Sequence, residues 1–145
     1  MSTLEDLYEQ DLYAWAMKNA ELIRRGELGA IDGEHIAEEL ESMGKCQRRA
    51  LRSRLAVLLA HLVKWQHQPQ LRSRSWKSTI RVQRLELQEL LDENPSLVPT
   101  LPEAISGAYV KARLLAAGDT GMDEAQFPSA CPFSPEQALD PDFWP

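Results

Sequence analysis

Asp32, His35, Glu38 and Glu39 lie within two helical turns of one another, and a histidine shares a helix face with carboxylates three or four residues away. That spacing suits a divalent metal ion held by imidazole nitrogen and carboxylate oxygen, with His61 as an added ligand from further along the chain. A second such cluster is missing. Helical di-metal carboxylate proteins need paired Glu and His motifs on several helices, whereas His61 and His67 are six residues apart and face different directions. His61, between Leu59 and Leu62, also reads as a hydrogen-bonded residue at the edge of a core.

Cys46 is followed by Gln47 and two arginines that would favour its thiolate, yet no pattern places a histidine beside it. Cys131 is far away in sequence and in an unrelated context, so both read as free thiols rather than a disulfide or zinc framework. No catalytic residue is assigned. The glycines form neither a phosphate-binding loop nor a dinucleotide fingerprint, and no cofactor is expected.

Charge is distributed in three blocks. Residues 1–41 hold eleven acidic and three basic residues, and residues 86–145 hold eleven and two. Residues 42–85 hold eleven Lys and Arg and no Asp or Glu. Clustered cations attract phosphates, and Trp65 or Trp76 could stack on unpaired bases, so Arg48, Arg52, Arg72, Arg74, Lys77 and Arg81 with those two tryptophans form the candidate binding surface. The net charge of −6 opposes a polyanion as partner. The alternative is that Glu38, Glu39, Glu41 and Glu86 neutralise the basic block within one chain or across a homodimer.

These side chains must be positioned by helices, because apolar residues recur at steps of three and four. One helix is predicted from Leu4 to Arg25 through Leu7, Tyr8, Leu12, Trp15, Leu22 and Ile23, with Asn19 interrupting the row, a cap at Ser2 or Thr3 and a stop at Gly26. Asp32 caps a second, over residues 33–67, whose row runs through Ile36, Leu40, Met43, Leu51, Leu55, Leu58, Leu62 and Trp65; a break at Gly44 is the alternative. Pro69 ends it. A third starts near Ser73 or Ser75 and runs to about Glu93, with Trp76, Ile80, Leu87, Leu90 and Leu91 apolar and Lys77, Arg81 and Arg84 in a basic row. Thr100 and Glu103 predict a capping box for a fourth, ending near Ala117 at Gly118. The proline-rich remainder has a short helical turn at Ser134–Gln137, and its Phe143 and Trp144 are expected to pack on the core.

The segments LYEQDLYAW, AEELESMGK, LLAHLVKWQHQP, RSRSWKSTI, NPSL, FPSACP and DFWP, in that order, resemble the bacterial domain-of-unknown-function 29 family over nearly the whole chain. The resemblance implies an all-helical fold and transfers no activity and no catalytic or ligand residue. It places signature residues on both sides of the corner at Pro69, where Trp65 and Trp76 would wedge a helical hairpin.

The expected architecture is thus all-α: a helical bundle, residues 1–117, with one long central helix and a C-terminal extension, 118–145, packed on the same domain. The start MSTLEDLYEQDLYAW lacks the basic and apolar regions of a signal peptide, and no apolar run is long enough to span a membrane, so a cytoplasmic protein is expected. The functional expectation is a non-catalytic interaction protein with a protein partner, a second copy of itself, or a nucleic acid. A metal-binding protein at His35, Glu38, Glu39 and His61 is the alternative.

Overall fold

A computed structural model describes residues 3–145. Its α-helices are α1 (Leu4–Gln10), α2 (Leu12–Arg24), α3 (Gly33–His67), α4 (Arg74–Glu93), α5 (Leu101–Thr120) and α6 (Pro135–Leu139), and the described residues contain no strand. The chain divides into two compact units, Met1–Cys46 and Gln47–Pro145. The long helix α3 begins in the first and ends in the second.

In the first unit, the single helix predicted over Leu4–Arg25 is two. Asp11 leaves helical geometry at φ −154°, ψ 85°, closing α1 by donating its N–H to Leu7 O and opening α2 by accepting from Ala14 N at 3.0 Å. A short carboxylate side chain competes well for the backbone donors of a new helix, and this turns an apparently continuous apolar row into two capped pieces. Thr3 caps α1 in a reciprocal box with Asp6, while Ser2, the other expected cap, lies outside the described residues. Gly26 takes φ +75°, and Glu27 N reaches back to Leu22 O at 2.9 Å, the left-handed closure that favours glycine.

Helix α3 is unbroken at Gly44, as its steady apolar spacing implies. Its row is buried only from Leu51 onward: Leu55, Leu58, Leu59, Leu62 and Val63 are sealed, whereas Leu40 and Met43 are exposed. In the second unit these leucines pack with Ile80, Leu87 and Leu91 of α4, Ile105, Ala108, Tyr109, Ala112 and Ala116 of α5, and Phe127, Phe133 and Ala138 beyond them. The residues expected to form an extension, 118–145, belong wholly to this unit and complete its core. Each buried leucine contributes about 2 kcal/mol by the area it removes from water.

Ser73 caps α4, accepting from Trp76 N at 3.1 Å. Before α5 the chain forms a 3-10 turn over Pro95–Thr100, so Thr100 is already helical and its hydroxyl donates to Leu97 O at 2.6 Å. The expected Thr100–Glu103 capping box is therefore absent, because an N-cap side chain needs extended backbone. Helix α5 also continues past Gly118 and stops at Gly121, whose φ of +74° closes the last turn on Ala117 O. Helix α6 has a reciprocal box between Ser134 and Gln137.

Candidate functional site

The first unit carries a polar cluster at the start of α3. The Asp32 side chain is nearly sealed from solvent, and its Oδ2 accepts from Trp15 Nε1 at 2.9 Å and lies 2.7 Å from His35 Nδ1. Asn19 Oδ1 accepts from Asp32 N at 2.8 Å, and Asn19 Nδ2 donates to Trp15 O at 2.8 Å. Tyr8 stacks on His35 with centroids 4.1 Å apart and donates its hydroxyl to Glu39 Oε1 at 2.5 Å. This bond to Glu39 pushes the Tyr8 pKa up to about 12. Burial works against the Asp32 carboxylate, but hydrogen bonds from Trp15 and His35 outweigh it and bring its pKa below the ordinary value. The Asp32 hydrogen bond in turn raises the pKa of His35.

The signs of the two shifts differ. The stabilisation from His35 is complete below its unfolded pKa of 6.5 and is lost as pH rises through the higher folded value. That from Asp32 is complete above its unfolded value of 3.8 and is lost as pH falls through the lower folded value. Both act together between about pH 4 and 6.5. In a proton NMR titration His35 should titrate above 6.5, and Asp32→Asn should bring it down to 6.5 or lower; an unchanged midpoint in the variant would remove the pairing.

These bonds bear on the metal reading. His35 Nδ1 and Glu39 Oε1 serve Asp32 and Tyr8, and Glu38 is exposed without an ion pair among the described residues. His61, in the second unit, donates Nδ1–H to Val57 O at 2.8 Å, and burial lowers its pKa. No group of three or more His, Cys, Asp and Glu side chains suited to a metal ion occurs among the described residues. Cys46 is exposed, and half-buried Cys131 points Sγ at Phe133 O with its pKa raised by burial, away from a reactive thiolate.

The corner at Pro69 belongs to the second unit, where both tryptophans have close neighbours. Trp65 packs on Trp144 from the tail, centroids 4.9 Å apart, while Trp76 lies 4.7 Å from the ammonium of Lys64. Lys64 is buried along an apolar helix face and reaches Asp119 Oδ2 at 3.0 Å. Arg72 stands over the Trp65 ring at 4.9 Å, donates Nε–H to Trp65 O at 2.8 Å, and reaches Pro145 O at 3.4 Å. Trp65 and Trp76 are thus half-buried against neighbours of their own chain, and Arg72 is exposed with its guanidinium tied to Trp65 and the C-terminus.

Of the remaining basic residues, Arg84 is buried in α4. It donates Nε–H to Ala138 O at 2.8 Å and Nη2–H to Gln137 O at 3.3 Å, holding the end of α6, while Nη1 has no partner. Burial lowers its pKa. Arg48, Arg52, Arg74, Lys77 and Arg81 are exposed. Among the described residues, the ion pairs made by the 42–85 block are Arg54–Glu86 at 3.6 Å and Lys64–Asp119 at 3.0 Å. Glu86, one of the expected partners, is thus paired with the block.

Two basic surfaces result. Arg49 and Arg52 of α3 and Lys111 of α5 line a groove of about 460 Å³, with Arg48 beside it near Glu103. On α4, Lys77 and Arg81 border a cleft of about 500 Å³ that is closed by Leu139, Pro141, Asp142 and Trp144. Sequence reasoning singled out neither Arg49 nor Lys111 for these surfaces, and it placed Arg84 in the basic row with Lys77 and Arg81, whereas Arg84 is buried.

The family model described as Domain of unknown function DUF29 matches residues 7–144. The chain belongs to this family. Membership in DUF29 agrees with the all-helical fold and brings no activity with it. No curated protein and no solved structure matches the chain. No helix among the described residues of this DUF29 protein is long and apolar enough to cross a membrane.

Proposed function

We propose that this DUF29 protein is a non-catalytic interaction protein that binds an acidic protein partner through the face carrying Arg48, Arg49, Arg52 and Lys111. The observation that supports this reading is the absence of ion-pair partners for these cations among the described residues, although the chain holds 22 acidic residues. Unpaired cations that converge on a groove leave a positive field that a complementary surface can neutralise. A protein is favoured over nucleic acid for two reasons. The net charge of −6 repels a long polyanion, and Trp65 and Trp76, the residues available for base stacking, are taken up by Trp144 and Lys64. The acidic first 41 residues of a second copy offer one such partner, which supports a homodimer as a form of the same reading.

The test is recovery of what co-purifies from the protein's own cells, with and without nuclease, for the wild type and for Arg48→Gln/Arg49→Gln/Arg52→Gln. A stoichiometric protein that survives nuclease and binds the variant about tenfold more weakly is the expected result, roughly 1.4 kcal/mol spread over three surface charges. Equal capture by the variant would overturn the proposed face. Recovery of nucleic acid that nuclease or higher salt removes would overturn the partner class. Sedimentation equilibrium of the pure protein at low and high salt identifies a second copy as the partner if a salt-sensitive dimer forms.

A further inference from the structure

We propose that the cleft between α4 and the tail is a binding site for a small organic anion with an apolar body. Its volume of about 500 Å³ falls within the usual range for small-molecule sites, roughly 300–1,000 Å³. Its chemistry is divided. Leu85, Leu139 and Trp144 supply apolar wall, and Leu85 is 70% exposed, an apolar side chain left uncovered beside the concavity. Lys77 and Arg81 stand on the same lining without ion-pair partners among the described residues.

Behind them is the buried Arg84. Its guanidinium is bound only to neutral carbonyls, Nη1 has no hydrogen-bond partner, and no carboxylate forms an ion pair with it. Asp140 is the nearby acid that acts on it, without forming an ion pair, and a cation in low dielectric that lacks a direct ion pair projects its field into adjoining space. Lys77 and Arg84 also lie 5.8 and 5.5 Å from the Trp144 ring centroid, so positive charge surrounds an aromatic wall. The one carboxylate on the lining, Asp142, is exposed and makes no ion pair with these cations. Three cations against Asp142 on the lining and Asp140 beside Arg84 still favour an anionic head group, and the leucine and tryptophan walls favour an apolar remainder. Arg84 acts at a distance, through its charge, while Lys77 and Arg81 are the groups that meet the ligand.

This site is separate from the partner face on α3, and its test uses different residues. The probes are 8-anilinonaphthalene-1-sulfonate and N-phenyl-1-naphthylamine, which share their ring system and differ in the sulfonate. Binding is followed by dye fluorescence for the wild type, Lys77→Gln/Arg81→Gln and Leu85→Asp. The expected result is one saturable site for the sulfonate, weakened at least fivefold in both variants, while the neutral dye is unaffected by the Lys77/Arg81 change. Both variants alter exposed side chains, and matching circular dichroism verifies their fold. Equal affinity of the wild type for the two dyes, unchanged sulfonate binding in the Lys77/Arg81 variant, or no saturable binding would each overturn the site. Loss of partner capture in the Arg48/Arg49/Arg52 variant leaves all of these readings untouched.

Discussion

Arg84→Ala should cost the second unit about 3 kcal/mol, measured as a fall in the urea midpoint at unchanged slope. The residue occupies a core position on α4, four residues after Ile80 and three before Leu87, both fully buried. Truncation leaves the buried Ala138 carbonyl without its donor, while the Gln137 carbonyl loses one of two, since Asp140 N also reaches it at 3.3 Å. Hydrogen bonds from a charged donor are worth about 1.5–3 kcal/mol each, and the lost stem adds a cavity cost of about 1–2 kcal/mol. Against this, the substitution removes a buried charge whose Nη1 has no partner, which returns part of the loss. Arg84→Met separates the contributions: it keeps most of the packing and should cost roughly half as much. Equal stability of Arg84→Ala and the wild type would show that the guanidinium does not hold α6.

Asp32→Ala should destabilise the first unit by about 2 kcal/mol. One side chain here performs three tasks, accepting the Trp15 indole N–H, the His35 ring and the His35 backbone N–H at the start of α3. Loss of a helix cap typically costs about 1 kcal/mol, and leaving an indole N–H unpaired in the interior costs a further 1 kcal/mol or so. Amide hydrogen exchange resolves the effect, because the loss should appear as faster exchange across α2, around Trp15 and Leu22, with little change at Leu59 or Ile80. Uniform acceleration at all of these positions would contradict a local role.

The contrast between Arg84 and Asn19 shows how much was legible in the sequence. Helix spacing located α3 and α4 to within a residue, since long apolar rows and a terminal proline constrain a helix at both ends. Both polar residues stood in gaps of an apolar row, Asn19 between Trp15 and Leu22, Arg84 between Ile80 and Leu87. A gap at a core phase signals a buried polar group, but it does not say which distant backbone atoms that group satisfies. Those atoms are Asp32 N and the carbonyls at 137 and 138. The break at Asp11 was hidden for the opposite reason, because the apolar row runs straight through it and only the cap hydrogen bond betrays the change of direction. The corner at Pro69 was legible as the place where Trp65 and Trp76 sit, but not that the aromatic reaching Trp65 comes from position 144.

The clasps of the second unit span long stretches of chain: Arg84 reaches a residue 54 positions away, Lys64 one 55 positions away, and Arg72 one 73 positions away. Closing such loops demands entropy before any contact returns it. The helices rest on local hydrogen bonds, whereas the seating of Phe127, Phe133 and Trp144 rests on contacts distant in sequence, the kind that slows folding. Until the tail is seated, the part of this core that Phe127, Phe133 and Ala138 complete stays open to solvent, and exposed apolar surface of that kind favours aggregation.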